Sequence, residues 1–251
     1  MQIYRPFADL KKFHLEARDG KIGRPDEFYF DDRHWLVRYL VVQTGNWLFG
    51  REVLIAPGML AGVNDKKKTV GVDLTLAQVE KSPPLETIRP ASRYYEEQYY
   101  QYYGWQPYWT NDLLLTPEVR PVFPAPAEEQ TPEPPDTRLR SSKEVTGCTL
   151  LAVDGEIGHV KDFIVGDKEW VIRYLEVDIG SWLTGRKVVV SPTWITAVNP
   201  QRREVSVKLT RQVIRSAPAY EPSQLISKDF ELQVYKHYCG TGGRNKDEDE
   251  Q

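Results

Sequence analysis

The sequence is short of the features that mark several classes of protein. It has only two cysteines, Cys148 and Cys239, which excludes a disulfide framework and a cysteine-built zinc site. Its longest apolar runs, such as 39–42 and 188–190, fall far below the roughly 18 residues that a membrane-spanning helix needs. The four histidines lack the spacing of metal ligands. We therefore expect no metal, no cofactor and no direct membrane insertion.

An excess of charge of one sign is also missing. The 33 Lys and Arg residues are balanced by 36 Asp and Glu residues, so the chain as a whole does not attract nucleic acid or anionic lipid. The N-terminal residues show no charged region followed by an apolar one. Together with the two cysteines, this predicts a cytoplasmic protein for which nucleic acid is not the partner. The chain also lacks a nucleophile elbow and a glycine-rich phosphate loop, so we expect that it is not an enzyme.

What the chain does contain is an internal repeat. A shift of 135 residues makes 24 of the 57 positions between Asp19 and Thr75 identical to those between Asp154 and Thr210. This similarity indicates a duplication. We assign the following repeated residues to a structural motif: Gly20, Gly23, Trp35, Arg38 and Trp47 in the first copy, and Gly155, Gly158, Trp170, Arg173 and Trp182 in the second.

The repeated tryptophans and arginines carry specific expectations. Trp47 and its equivalent Trp182 lie between glycines that suit a strand-to-strand turn, and we expect them to plug the end of a barrel. Arg38 and Arg173 lie among apolar residues, where a charge is costly unless it is paired. We expect each to form an ion pair with a turn carboxylate, for which the candidates are Asp19, Asp154 and Asp178. The alternative is that these arginines bind a ligand or partner. We predict that Arg51 and Arg186 are exposed and bind a carboxylate or phosphate of a partner.

Each copy reads as about six short strands separated by turn signals. Six strands in about 70 residues are best accommodated by a small closed barrel, because an open sheet would expose long edges. Thr75 and Thr210 each have N-cap chemistry for a short helix that follows the strands. We expect residues 1–88 to form the first barrel, 89–138 an aromatic arm and a Pro-rich linker, 139–222 the second barrel, and 223–251 a helix with a charged tail.

The aromatic arm is the most unusual stretch. Residues 93–109 contain seven tyrosines, four of which follow helical spacing, with few basic residues. Such a surface lacks the positive groove of a single-strand binding platform. We predict that it packs on a barrel or on a partner copy, and we name its candidate partner-binding residues as Tyr95, Tyr99, Tyr100, Tyr103 and Trp105.

In combination, these motifs resemble the PRC-barrel family. The resemblance rests on DGEIG at 154–158, the strand sequence WVIRYLEVD at 170–178, and WLTGRKVVVSP at 182–192, with matching segments in the first copy. It implies two six-stranded antiparallel barrels. The duplication also allows the two barrels to pair within the chain or in a homodimer. The family includes the cytoplasmic domain of the photosynthetic reaction centre H subunit and the C-terminal domain of the ribosome maturation factor RimM.

The resemblance leaves three functions open. We favour a non-catalytic interaction or scaffold module with a protein partner of unknown identity. The alternatives are a RimM-like role in ribosome or RNA-processing assembly, and an accessory role in electron or proton transfer like that of the H subunit.

Overall fold

The computed structural model describes residues 3–83, 85, 93–107, 139–180 and 185–242. It consists mostly of β-structure in two units, which confirms the all-β class. The first unit contains β1 (Tyr4–Pro6), α1 (Phe7–Leu10), β2 (His14–Ala17), β3 (Gly20–Asp31), β4 (Leu36–Gln43), β5 (Glu52–Ile55), β6 (Leu60–Asn64), β7 (Thr69–Val72), α2 (Leu76–Glu80) and α3 (Arg93–Tyr103).

The second unit repeats this order of elements. It contains β8 (Leu139–Ser141), α4 (Ser142–Val145), β9 (Thr149–Ala152), β10 (Gly155–Gly166), β11 (Ile172–Asp178), β12 (Lys187–Val190), β13 (Ile195–Asn199), β14 (Glu204–Val207), α5 (Arg211–Arg215) and α6 (Lys228–Gly242). Short 3-10 turns occupy Gly45–Leu48, Pro57–Met59, Pro192–Trp194 and Pro200–Arg202. The expected Pro-rich linker, residues 116–137, lies outside the described residues, as does most of the expected charged tail.

Both sheets have the same strand order. The first follows β5-β4-β3-β2-β7-β6 and the second follows β12-β11-β10-β9-β14-β13. Neighbours are antiparallel except for β2 with β7 and β9 with β14, which are parallel. In each parallel pair, four other strands lie between the two partners along the chain. This connection is long enough for the second partner to run in the same direction as the first. The expectation of purely antiparallel barrels is corrected at these two pairs. Within the described ranges, no ladder joins the two ends of either path.

Each sheet has seven strands rather than the expected six, because the two units exchange their first strands. β1 of the first unit pairs with β10 of the second, with Arg5 opposite Val165. In the same way β8 of the second unit pairs with β3 of the first, with Arg140 opposite Phe30. Each unit therefore completes the sheet of the other.

Equivalent residues of the two units also meet directly. The amide of Val37 donates to the carbonyl oxygen of Trp170 at 2.9 Å, and the amide of Ile172 donates to that of Trp35 at 2.8 Å. The two tryptophans, both buried, have left-handed backbone with φ of 57° and 55°. These reciprocal bonds give the pair of units an approximate twofold relation. Phe28 and Phe163 are also equivalent in the repeat, and their buried rings contact each other edge to face, at 5.1 Å between centroids.

The repeated Asp-Gly turns position the short helices α2 and α5. Thr75 and Thr210 accept an amide N–H of the first helical turn at 3.3 Å, as their N-cap chemistry predicts. Asp19 and Asp154 accept the first helical N–H of α2 and α5 at 2.7 Å. One carboxylate thus fixes the turn to a helix that begins 57 residues later. This confirms the short helix after the strands of each copy.

The aromatic helices α3 and α6 pack on their own units. The Tyr39 hydroxyl of β4 donates to Glu96 of α3 at 3.0 Å. The equivalent Tyr174 of β11 donates to Glu231 of α6 at 3.4 Å. The arm helix therefore packs on the sheet of its own unit rather than on a partner copy. None of the helices in the described part of the chain is both long and apolar enough to cross a membrane.

Candidate functional site

The tyrosines predicted to bind a partner lie between α3 and the first sheet. Tyr95, Tyr99 and Tyr100 are buried, and Tyr103 is partly buried. The Tyr99 hydroxyl accepts the amide N–H of Ala56 at 3.1 Å and lies 3.2 Å from the carbonyl oxygen of Leu54, to which it donates. These side chains hold the helix on the sheet, and their assignment to a partner surface is corrected. Their mixed polar and apolar character suits this packing as well as it suits an interface.

Other residues of the arm also contact the first unit rather than a partner. The Tyr95 hydroxyl donates to the carbonyl oxygen of Pro83 at 2.9 Å. Burial raises the pKa of Tyr103 to about 12, so its hydroxyl stays protonated at neutral pH. Trp105 is 38% exposed and is the candidate of this group with the most accessible side chain.

Arg51 and Arg186 are used within the chain. Arg51 donates from Nη1 to the carbonyl oxygen of Glu80 at 2.9 Å and from Nη2 to that of Ser82. Arg186 donates from Nη2 to the carbonyl oxygen of Ala217 at 2.8 Å. Both arginines therefore bind carbonyl groups at or just after the ends of α2 and α5, where cations are favoured. The sequence suggested a carboxylate or phosphate of a partner, and the structure supplies backbone carbonyls instead.

The mid-strand arginines are ion-paired, but with other carboxylates than those predicted. Arg38 donates to Asp31 at 2.8 Å, and Arg173 donates to Glu231 at 2.9 Å. Burial tends to raise the pKa of Asp31, but hydrogen bonds from Arg38 and His34 and from the Arg33 amide outweigh it and lower that pKa to about 2. This carboxylate stays ionised at neutral pH.

The carboxylates expected to pair with these arginines are committed elsewhere. Asp19 and Asp154 accept helix amides, as described above, and Asp178 accepts the amide of Gly180 at 3.0 Å. Each of these carboxylates lies at a turn. There it accepts a nearby backbone N–H instead of pairing with Arg38 or Arg173.

The predicted barrel plug is also corrected for Trp47. Its side chain is 36% exposed and its indole N–H donates to the carbonyl oxygen of Ile22 at 2.6 Å, so it lies at the surface rather than in the core. Its equivalent Trp182 lies outside the described residues. The flanking Gly45 and Gly50 have φ of 65° and 72°, which glycine adopts without strain, as expected for a tight loop.

A candidate binding site is a groove between the two units, which we call the junction groove. Its cavity volume is about 600 Å³, within the range of binding pockets. The first unit contributes β1 and α1 with Lys11 and Lys12, and the second contributes α4, β10, β11 and β12. The exchange of first strands brings these elements together, because α1 follows β1 directly.

One carboxyl group in the junction groove has a raised pKa. Asp162 of β10 accepts the amide N–H of Ala8 at 3.0 Å. Burial raises its pKa to about 6, against the effect of hydrogen bonds from backbone amides that lower it. This carboxyl group is therefore partly protonated just below neutral pH.

The other two carboxylates of the groove are neutralised by lysines. Glu176 is only 2% exposed and lies 2.7 Å from Nζ of Lys187. Asp9 lies 2.6 Å from Nζ of Lys12. The described residues contain no group of three or more His, Cys, Asp and Glu side chains that could hold a metal ion.

At the equivalent place in the first unit, the second unit supplies partners for the carboxylates. There Glu27, the counterpart of Asp162, accepts a hydrogen bond from Ser141 and lies 3.8 Å from Nζ of Lys143. Lys143 also pairs with Asp26. The residues that correspond to Ser141 and Lys143 are Pro6 and Ala8, which carry neither a hydroxyl nor an ammonium group. The two halves of the molecule therefore differ where the units meet.

Sequence reasoning missed the junction groove, although one signal was available. Lys161 and Lys187 of the second copy align with Asp26 and Glu52 of the first, so the charge is reversed at two positions in an otherwise similar repeat. Comparing charge as well as identity between the copies identifies these positions. The groove residues of the first unit, in contrast, lie before Asp19, where the aligned repeat begins, so this comparison does not identify them.

Comparison with known families agrees with the fold of the second unit. Residues 139–214 match the model of the PRC-barrel domain, a stretch that extends from β8 into α5. A search of curated proteins finds no match to the chain.

Proposed function

We propose that this protein is a non-catalytic scaffold made of two PRC-type units in tandem, and that a protein partner binds at the junction groove. The observation that carries the proposal is the reciprocal exchange of β1 and β8, which joins the two sheets into one framework with a groove where they meet. A match to the PRC-barrel domain over residues 139–214 supports a general binding role. The tandem arrangement is supported by the common strand order of the two sheets.

The chemistry of the groove favours binding over catalysis. Glu176 and Asp9 are paired with lysines at 2.7 and 2.6 Å, and Asp162 accepts a backbone amide. Of the carboxyl groups in the described lining, only Asp162 has no ion pair, and lysines without an ion pair, such as Lys11 and Lys161, suit the recognition of charge. The free thiols of Cys148 and Cys239 support the cytoplasm as the compartment of this scaffold.

The experiment is affinity capture of the tagged full-length protein from its native lysate, with and without nuclease. The wild type is compared with Lys161→Glu, which changes a groove lysine, and with Lys66→Glu, an exposed lysine on the β6–β7 turn with the same change of charge. We expect a protein that resists nuclease, is retained by Lys66→Glu and is lost with Lys161→Glu. A partner retained by both variants argues against the groove. Loss of every partner on nuclease treatment supports a role in RNA-processing assembly instead.

A further inference from the structure

The junction groove is positively charged in a chain that is negative overall. The chain carries a net charge of −3. The groove lining nevertheless has more ammonium groups than carboxylates. The lysines that line it are Lys11, Lys12, Lys143, Lys161 and Lys187.

Two of these lysines are available for a ligand. Lys12, Lys143 and Lys187 form ion pairs within the chain. Lys161 is exposed, and the described residues supply no carboxylate within ion-pair distance of it. Lys11 lies over the ring of Phe7, with its nitrogen 5.6 Å from the ring centroid, and likewise has no ion pair among the described residues.

The first unit indicates what such a surface binds. Its equivalent surface carries Asp26 and Glu27, and Lys143 from the other unit pairs with both. In the second unit the position of Asp26 is taken by Lys161 and that of Lys143 by Ala8. One of the two acidic positions has thus become basic, and the chain no longer supplies a charged side chain at the position of Lys143.

Asp162 opposes an anion beside these lysines less when its carboxyl group is protonated. Burial keeps its pKa near 6, and its carboxylate accepts the amide N–H of Ala8. The titratable groups that act on it from neighbouring elements are Lys11, Tyr220 and Glu176, which is paired with Lys187. The repulsion between Asp162 and an incoming carboxylate therefore falls as the pH drops below about 6.

We infer that the junction groove binds an acidic peptide segment of a partner protein, whose carboxylates meet Lys11 and Lys161. The inference rests on the proposed function and specifies the chemistry of the partner. A cavity of about 600 Å³ that is open to solvent accommodates a short extended segment. Charge complementarity of this kind gives specificity and a fast approach of the partner.

The test is selection of a random dodecapeptide display library on the full-length protein. We expect the selected peptides to be enriched in Asp and Glu, and their binding to weaken as salt is added. Fluorescence anisotropy of the most enriched peptide then compares variants. The double variant Lys11→Glu and Lys161→Glu is expected to lose affinity by at least about tenfold, because it replaces two attractive charge contacts with repulsion. Lys161→Arg and Lys66→Glu are expected to bind as the wild type does.

Several results overturn the inference. Selected peptides without acidic enrichment contradict it, and so does equal affinity of the double variant when its melting temperature matches that of the wild type. A cellular partner that depends on Lys161 but binds through no acidic segment leaves the scaffold function in place and removes only this inference. Acidic peptides that bind in vitro, with no groove-dependent partner in the lysate, support the peptide chemistry but contradict the scaffold function.

Discussion

Gly23 and Gly158 occupy equivalent positions in β3 and β10, where each strand passes the end of its neighbour. A Cβ atom on Gly23 would overlap the carbonyl oxygen of Gln43 at the end of β4. On Gly158 it would overlap that of Asp178 at the end of β11. Because the obstacle is backbone in both cases, it cannot move aside as the tip of a side chain can. The repeat of glycine at this position thus has a steric cause.

We predict that Gly23→Ala and Gly158→Ala each lower the free energy of unfolding by about 3 kcal/mol or more. Urea titration followed by circular dichroism measures this loss. Gly58→Ala is the matched control, because a Cβ at this exposed turn position meets no atom within 4 Å. It is expected to change stability by no more than about 1 kcal/mol, and in the stabilising direction. Equal effects at all three glycines would falsify the steric explanation.

Asp162 makes stability depend on pH in a defined direction. Its folded-state pKa of about 6 lies above the value of about 4 expected in the unfolded chain. Between these values the folded protein holds a proton that the unfolded chain has released. The free energy of unfolding therefore decreases as pH rises from about 4 to about 6, and this contribution is constant above that range.

We predict that Asp162→Asn removes this contribution and keeps an acceptor for the Ala8 amide. Relative to wild type, the variant should gain up to about 3 kcal/mol between pH 4 and pH 7. Denaturant titrations of both proteins at several pH values give this difference, in which the other titrating groups cancel. A difference that is the same at pH 4 and pH 7 would show that burial does not perturb this carboxyl group.

At the level of elements, the aromatic helix α3 acts as a cover for a strand edge. β5 is the last strand of the first sheet, so its outer backbone groups have no strand beside them. The Tyr99 hydroxyl satisfies two of these groups, the carbonyl oxygen of Leu54 and the amide of Ala56 just after the strand. In the second unit Tyr238 of α6 donates to Val189 of the edge strand β12 at 2.9 Å. A covered edge cannot pair with a strand of another molecule.

We predict that Tyr99→Phe lowers the free energy of unfolding by about 1–3 kcal/mol, since it leaves these buried backbone groups without a partner. Tyr102→Phe provides the comparison on the same helix. Its hydroxyl donates to the carbonyl oxygen of Gln78 at 2.9 Å, but the side chain is 39% exposed and water replaces the lost bond. Chemical denaturation should show little change for Tyr102→Phe. A cost for Tyr102→Phe as large as that for Tyr99→Phe would contradict the edge-cover role.

Local patterns in the sequence predict the elements better than their pairing. The Asp-Gly turns, the capping threonines and the aromatic helices depend on residues close in the chain, and the structure contains them at the predicted places. The pairing of β1 with β10 joins residues about 160 positions apart. A short strand such as Tyr4–Pro6 has the same apolar pattern whether it pairs with its own unit or with the other. The exchange of strands and the ion pair of Arg173 with Glu231 depend on contacts between residues far apart in the chain.

The junction groove was unpredictable for a related reason. Its side chains come from β1, α1 and the two lysines after α1 in the first unit, and from α4 and three strands of the second unit, and they share no motif. They meet only because the strands are exchanged. The repeat predicts that the two units have equivalent surfaces. The groove lies where these surfaces differ, as the replacement of Asp26 in the first unit by Lys161 in the second indicates.

At the scale of the whole molecule, two reciprocal ion pairs accompany the exchanged strands. Arg5 of β1 lies 3.0 Å from Asp167 of the second unit, and Arg140 of β8 lies 2.6 Å from Asp32 of the first. The two pairs are equivalent in the repeat but differ in burial. The Arg5 side chain is 4% exposed and also pairs with Asp65 at 2.7 Å, whereas that of Arg140 is 27% exposed. Removing Arg5 leaves a buried carboxylate without its cation, and removing Arg140 leaves one that water can reach.

Because each sheet contains a strand of the other unit, neither unit can unfold without breaking the other's sheet. We therefore predict a single calorimetric transition for the full chain. Arg5→Ala should lower the free energy of unfolding by about 3–5 kcal/mol and shift the whole transition, while Arg140→Ala should cost about 1 kcal/mol. Two resolved transitions in the wild type, or an Arg5→Ala variant in which only one unit melts early, would mean that the exchanged strands do not couple the units.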